Sequence, residues 1–360
     1  MSRTRAHRTI PTVAAGVAAA LSAVGCSSST PGPSASGTTS ATATATVRVA
    51  GTVAEGLDSP WGLLRLPGGD LLAGSRDTGQ LTRIGADGAR SAYGTVPGVV
   101  AGGEGGLLGL ALAPDGRQLY AYLTADTDNR ILRFDPGPTG PGPATTVLTG
   151  IPKAATHNGG RIAFGPDGML YAGTGDAGRR EAAQDRASLG GKILRLTPEG
   201  APAPGNPFPG SPVYSLGHRN VQGLAWDARG ALWAAEFGQN TWDELNLVRP
   251  GVNYGWPVVE GRAGREGYAD PVAQWKPADA SPSGIAYADG AIWLAALRGN
   301  RLWRVPVDGG SPASYLDGAY GRLRTVLAEP DGSLLVTTSN TDGRGEVRPG
   351  DDRVLRVTLH

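Results

Sequence analysis

Cysteine is almost absent from this chain of 360 residues: there is one, Cys26, and it lies near the N-terminus. The folded part therefore has neither a disulfide nor a Cys-ligated metal to hold it together. Net charge is nearly absent as well, at +1, which excludes a general attraction to nucleic acid or to a membrane surface. Any cation cluster must be local. A long apolar run is missing too. The stretch from Val13 to Val24 is too short and too rich in small residues to span a bilayer comfortably.

That stretch follows Arg3, Arg5 and Arg8 and reads as a signal peptide. Ala23-Val24-Gly25-Cys26 resembles a bacterial lipobox, which makes Cys26 the expected site of lipidation and residues 1–26 the leader. Residues 27–46 are Ser, Thr, Pro, Ala and Gly without apolar periodicity, and read as a tether. The folded domain is expected from Val47 to His360, extracytoplasmic and anchored to the outer face of the bacterial cell membrane.

Glycine (57) and proline (28) are abundant, as suits many tight turns rather than long helices. Six apolar runs recur: Trp61–Leu64, Gly109–Leu112, Arg161–Phe164, Gly223–Trp226, Gly284–Tyr287 and Thr325–Ala328. A short turn ending in glycine follows each, at Gly69, Gly116, Gly168, Gly230, Gly290 and Gly332, with spacings of 47, 52, 62, 60 and 42 residues. Short strands repeated every 40–60 residues or so point to an all-β, six-bladed β-propeller of four-stranded antiparallel blades. In the third repeat, His157–Phe164 reads as the first strand, Pro166-Asp167-Gly168 as the hairpin turn, Met169–Gly173 as the second strand and Ile193–Leu196 as the third. The outermost strands are too weak to place.

First strands line the axis of a propeller, so the residues entering them should meet at one mouth of the channel. These are Glu104, His157, Arg219, Asn220, Gln222, Ser281, Ser283, Arg322 and Arg324. The set is cationic, with Glu104 its only clear acid, and suits a small polyanion. Trp61, Trp226, Trp233, Trp293 and Trp303 read as blade packing. Trp256 and Trp275 are expected to shape the entrance, His218 to be structural, Asp243 and Glu244 to anchor a loop, and Asp351-Asp352 to be a solvated turn.

Several of these strings carry a family likeness. His157-Asn158-Gly159-Gly160-Arg161, Gly217–Leu224, Glu236–Asn240, Asn253-Tyr254-Gly255-Trp256-Pro257 and Gly321-Arg322-Leu323-Arg324 resemble the soluble quinoprotein glucose/sorbosone dehydrogenases, including the aldose sugar dehydrogenases. The similarity runs from Leu57 to Arg353. It implies pyrroloquinoline quinone (PQQ) on the axis, held partly through Ca²⁺, and oxidation of an aldose at its anomeric carbon to the lactone. It implies His157 as general base and Arg219 as the group polarising the quinone. Asn220 and Gln222 would hold the cofactor edge, Arg322 and Arg324 its carboxylates. Arg298 stands where relatives have Lys, and Glu104, where they often have Gln, would touch the cofactor. The backbone carbonyls of Gly238 and Gln239 would ligate Ca²⁺. Thr156 replaces an Asp that precedes the histidine in some relatives and helps to orient it. The short segment from Val258 to Gln274 implies that a second Ca²⁺ pair and dimer contacts are missing, leaving a monomer or weak dimer whose electron acceptor is soluble or membrane-borne.

The residues make chemical sense for such a reaction. A hydroxyl donates hydride poorly until deprotonated, and His is suited to remove that proton near neutral pH. Two rival readings of a six-bladed propeller are a metal-dependent lactone hydrolase and a non-catalytic receptor. The first calls for side-chain carboxylates converging on the axis, and the second has no need of His157 together with Arg219.

Overall fold

The computed structural model describes residues 46–359. The leader with Cys26, and the tether as far as residue 45, lie outside the described residues. All 24 strands of the described chain belong to six four-stranded antiparallel sheets; its one helical turn is a 3₁₀ segment, Arg180–Ala183. The innermost strands of blades 1 to 6 are Pro60–Arg65, Leu107–Leu112, Ile162–Phe164, Val221–Trp226, Pro282–Ala288 and Leu323–Ala328. Each packs on the next, and the sixth packs on the first, so the sheets form a closed six-bladed propeller.

Blade 6 closes the ring. Its three C-terminal strands are completed by Val47–Ala54 from the start of the domain, paired antiparallel from Val47 with Leu359 to Ala54 with Val354. This pairing covers a sheet edge and joins the two ends of the chain without a disulfide.

The repeated sequence phrase has two physical causes. After the inner strand the chain must reverse tightly. In blades 2, 3, 4 and 6 an Asp side chain (Asp115, Asp167, Asp227, Asp331) accepts the N–H two residues later, just before or beside the turn glycine. Within the inner strand, small residues let neighbouring blades approach. A Cβ on Gly109 would stand 2.2 Å from the Gly160 carbonyl, and one on Gly223 would stand 2.4 Å from that of Ser283. The apolar clusters lie between blades. Leu72, Leu81 and Tyr93 of blade 1, for example, pack with Leu107, Ala121 and Phe134 of blade 2.

Two expectations are corrected, at blade 3 and at Asp352. The first strand of blade 3 begins at Ile162, not His157. His157, Gly159 and Gly160 have φ of 58°, 62° and 112°, which no extended strand accommodates, so this segment is a turn at the channel mouth. The outermost strands, unplaced from sequence, carry no legible apolar alternation: Arg90–Thr95 buries only Tyr93, and those of blades 3, 4 and 5 are three or four residues long. Asp352 is not solvated: its buried carboxylate accepts the Thr338 and Thr341 hydroxyls and the N–H groups of Asn340 and Thr341, fixing the last loop of blade 6.

Candidate functional site

At one mouth of the axis lies a cavity of about 390 Å³ lined by Trp61, Glu104, Gln222, Ser281 and Phe237 and by five arginines: Arg76, Arg298, Arg322, Arg324 and Arg344. Five of the residues expected at the mouth from sequence therefore do line it (Glu104, Gln222, Ser281, Arg322, Arg324), and so does Arg298. Gln222 is oriented by its carbonyl oxygen Oε1, which accepts Arg324 Nη1 at 3.0 Å and the Ser283 hydroxyl at 3.1 Å.

His157 and Arg219 stand beside this cavity. His157 is held at both ends: its N–H donates to Glu104 Oε2 (2.8 Å), and its Nδ1 lies 2.7 Å from Asp176 Oδ1. Asp176 is fully buried, and its second oxygen accepts the indole N–H of Trp256 at 2.8 Å. Burial alone would raise the Asp176 carboxyl. The hydrogen bond and charge of His157, with the Trp256 indole and the Gly178 N–H, outweigh burial and hold it below the ordinary value. The backbone N–H of Asp176 donates to the Arg219 carbonyl at 2.9 Å, tying the two loops together. Asn220 is buried, and its Oδ1 accepts the Gly159 N–H. It supports the His157 turn from behind.

Arg219 is positioned by its own backbone. Its N–H donates to Glu236 Oε2 at 2.7 Å, and the other Glu236 oxygen holds His218 Nδ1 at 2.7 Å. His218 is fully buried, stacked on Tyr254 and bonded to Ser215, a structural residue as expected. The Arg219 guanidinium lies over Trp256, 5.4 Å from the ring centroid, and its buried Nε has no hydrogen-bond partner. Burial lowers its pKa, against the pull of Asp176, Glu104, Glu260 and Asp243.

The segment after Glu236 forms a turn around one carboxylate. Glu260 Oε1 accepts the N–H groups of Gln239, Asn240, Thr241 and Trp242. Asp243 accepts the Gly238 N–H with one oxygen and the Ser281 N–H with the other, which is the loop anchoring expected of it. The carbonyls of Gly238 and Gln239 accept no hydrogen bond from any described residue. Among the described residues no group of three or more His, Cys, Asp or Glu side chains is placed to hold a metal ion.

A family profile described as Glucose / Sorbosone dehydrogenase matches residues 57–348. The chain belongs to that family. A solved structure described as the PQQ-bound form of aldose sugar dehydrogenase from Streptomyces coelicolor is 58% identical, with a TM-score of 0.85, over 88% of this chain and 99% of that one. Aldose sugar dehydrogenase from Escherichia coli is 31% identical over 80% of this chain and 89% of its own length. Quinoprotein glucose dehydrogenase B from Acinetobacter calcoaceticus is 32% identical over 60% of this chain and 54% of its own length.

For a member of the glucose/sorbosone dehydrogenase family, the site differs from the sequence reading in four respects. Glu104 is not the only acid. Asp342 accepts Arg322 Nη2 at 3.0 Å and Arg324 Nη2 at 3.3 Å, and Asp77 pairs with Arg76. These acids sit in strand-exit loops, away from the residues that enter the inner strands. His157 is oriented by Asp176, from a loop nineteen residues on, and not by its chain neighbour Thr156. Trp61 lines the cavity as well as packing the blades, since its position begins an inner strand. Neither Trp256 nor Trp275 is an open entrance residue: Trp256 is buried against Asp176, and Trp275 packs on Trp303 in the blade core. Arg76 and Arg344 were missed because they stand alone in blade 1 and blade 6 loops, outside any recurring phrase.

Proposed function

We propose that this protein is a quinoprotein aldose dehydrogenase, oxidising the anomeric carbon of an aldose to its lactone with PQQ and Ca²⁺ at the axial cavity. The observation that carries this reading is the His157–Asp176 pair beside a cavity walled by five arginines.

The residues fit the cofactor. PQQ is a flat tricarboxylate, and the cavity has more cations than the acids on its walls neutralise: Arg298 makes no ion pair with a described residue. Arg219 and Arg324 add desolvated cationic charge at the cavity, which burial alone disfavours and an anionic ligand would compensate. For Ca²⁺, the open carbonyls of Gly238 and Gln239 are the hard oxygen donors it prefers, and the Glu260-centred turn holds them in place. Gln222 would hold the cofactor edge, with Arg298, Arg322 and Arg324 on its carboxylates. Asn220 would act behind the His157 turn.

His157 would be the base. With Nδ1 engaged by Asp176, the lone pair is left on Nε2, where it can take the proton of the anomeric hydroxyl. Asp176 then stabilises the imidazolium, and Trp256 keeps that carboxylate aimed. Bound PQQ supplies the redox chemistry by accepting the hydride. Arg219 provides a cationic donor, desolvated and already oriented, where negative charge develops. The hydrolase reading is less favoured, because the axial acids Asp77, Glu104 and Asp342 are each bound to arginine and not to one another. Lipidation at Cys26 would place the domain on the outer face of a bacterial membrane, where two electrons pass to a soluble or membrane-borne acceptor.

The test is a titration of the purified protein with PQQ and Ca²⁺, followed by an aldose. Tight binding and bleaching of the quinone by sugar, lost in His157→Ala, is the expected result. Absence of PQQ binding would remove this reading.

A further inference from the structure

One buried cation near the axis has no counter-charge. Arg161 enters from blade 3 and is 7% exposed. Its Nε donates to the Gln222 carbonyl of blade 4 at 2.8 Å, and its Nη2 to the Thr325 hydroxyl of blade 6 at 3.2 Å. Its guanidinium carbon lies 4.3 Å from the ring centroid of Trp61 in blade 1. Gly284 of blade 5 leaves it room, since a Cβ there would stand 3.1 Å from Nη2. Five of the six blades thus meet at one guanidinium.

Three arginines of this region have aspartates: Asp77 serves Arg76, and Asp342 serves Arg322 and Arg324, whereas the guanidinium of Arg219 has only the Phe237 carbonyl. Arg161 makes no ion pair with any described residue. Burial and then Arg324, a second cation 5.7 Å from the same Trp61 ring, push its pKa down to about 9. A charge taken out of water without a partner is costly and is seldom retained for stability alone. Trp61 also lines the arginine-walled cavity, so Arg161 lies directly behind part of the cavity wall.

We propose that Arg161 is a fixed positive charge behind the cavity wall whose counter-charge is the anionic ligand itself. The inference rests on the quinoprotein reading, with PQQ as that anion. Arg161 does not need to touch the ligand: across the Trp61 ring its field reaches the bound carboxylates. It is a positioning residue, and what matters in it is charge, beyond the stitching of blades that its hydrogen bonds provide.

The test compares the full-length protein with Arg161→Lys and Arg161→Met in direct titrations with PQQ in the presence of Ca²⁺. The ligand-free melting temperature is recorded for each. Arg161→Met is expected to bind PQQ about tenfold or more weakly, and Arg161→Lys within about threefold of the parent. Any change in ligand-free melting temperature reports the lost hydrogen bonds to Gln222 and Thr325 and is read separately from PQQ affinity. Equal PQQ affinity in Arg161→Met and the parent, or equal weakening in Met and Lys variants, overturns the proposal and leaves a structural stitch. If Arg161→Met does not fold, Arg161→Gln takes its place with the same outcomes. If the parent itself fails to bind PQQ, the reading of function falls first and this inference with it.

Discussion

Asp176 Oδ1 stands 2.7 Å from His157 Nδ1, across two loops that meet at the channel mouth. The same carboxylate accepts the Trp256 indole at 2.8 Å, and its residue's N–H is bound to the Arg219 carbonyl. One buried residue therefore holds the His157 ring through its side chain and the Arg219 loop through its backbone. An amide in its place would keep the shape and lose the charge. Asp176→Asn is expected to lower kcat by about a hundredfold or more while PQQ affinity stays within a few-fold. Steady-state kinetics beside a PQQ titration checks this, and a kcat close to the parent's would remove Asp176 from the mechanism.

Asp342 is the hub of the arginine wall. It accepts Arg322, Arg324 and the Ser339 hydroxyl, and its other oxygen accepts the Arg344 N–H. Removing one side of a buried ion pair strands the other. Asp342→Ala should destabilise the ligand-free protein by about 3 kcal/mol, measured by urea denaturation. Bound PQQ should narrow that difference, because its carboxylates replace the missing one.

Glu244 is buried, beside Glu236, and burial followed by the Glu236 charge raises its pKa to about 8 from the ordinary carboxylate value. The folded protein thus holds this proton more tightly than the unfolded chain. Between about pH 4.5 and pH 8 the unfolded state has released it and the folded state has not, so stability falls as pH rises through that window. Below the window the penalty is absent, and above it the penalty is complete. Glu244→Gln should flatten this part of the pH–stability curve and melt higher than the parent at pH 8. Melting temperatures from pH 4 to 9 decide it; parallel curves for the two proteins would refute it.

Gly109 tests the closure of the ring. Alanine there would bring its Cβ to 2.2 Å from the Gly160 carbonyl, a backbone atom that cannot rotate away. Blades 2 and 3 would have to separate. Gly109→Ala is expected to cost about 2 kcal/mol or more in denaturant titrations, whereas alanine at Gly168, a turn position with open space, should cost less than that despite its φ of 74°.

Much of the fold was legible in the chain because its causes are local. A Gly-containing turn after a small apolar strand repeats six times, and each copy can be read without knowing the others. Strand Arg90–Thr95 escaped because it faces water, the outermost strands of blades 3 to 5 because they are only three or four residues long, and strand Val47–Ala54 because its partner lies at the opposite end of the domain. The cationic mouth was likewise legible for Arg322, Arg324 and Gln222, which stand in recurring phrases entering the inner strands.

Sequence by itself determined the propeller, the number of blades and the apolar run within each inner strand, since these follow from periodicity and turn chemistry. Only the tertiary structure decided which groups act on one another there. Asp176 on His157, Asp342 on two arginines, Glu260 on four consecutive N–H groups and Arg161 against Trp61 join residues from different loops or blades. The physical reason is that charge and hydrogen bonding depend on distance in space, and a closed ring makes neighbours of residues as far apart in the chain as Trp61 and Thr325.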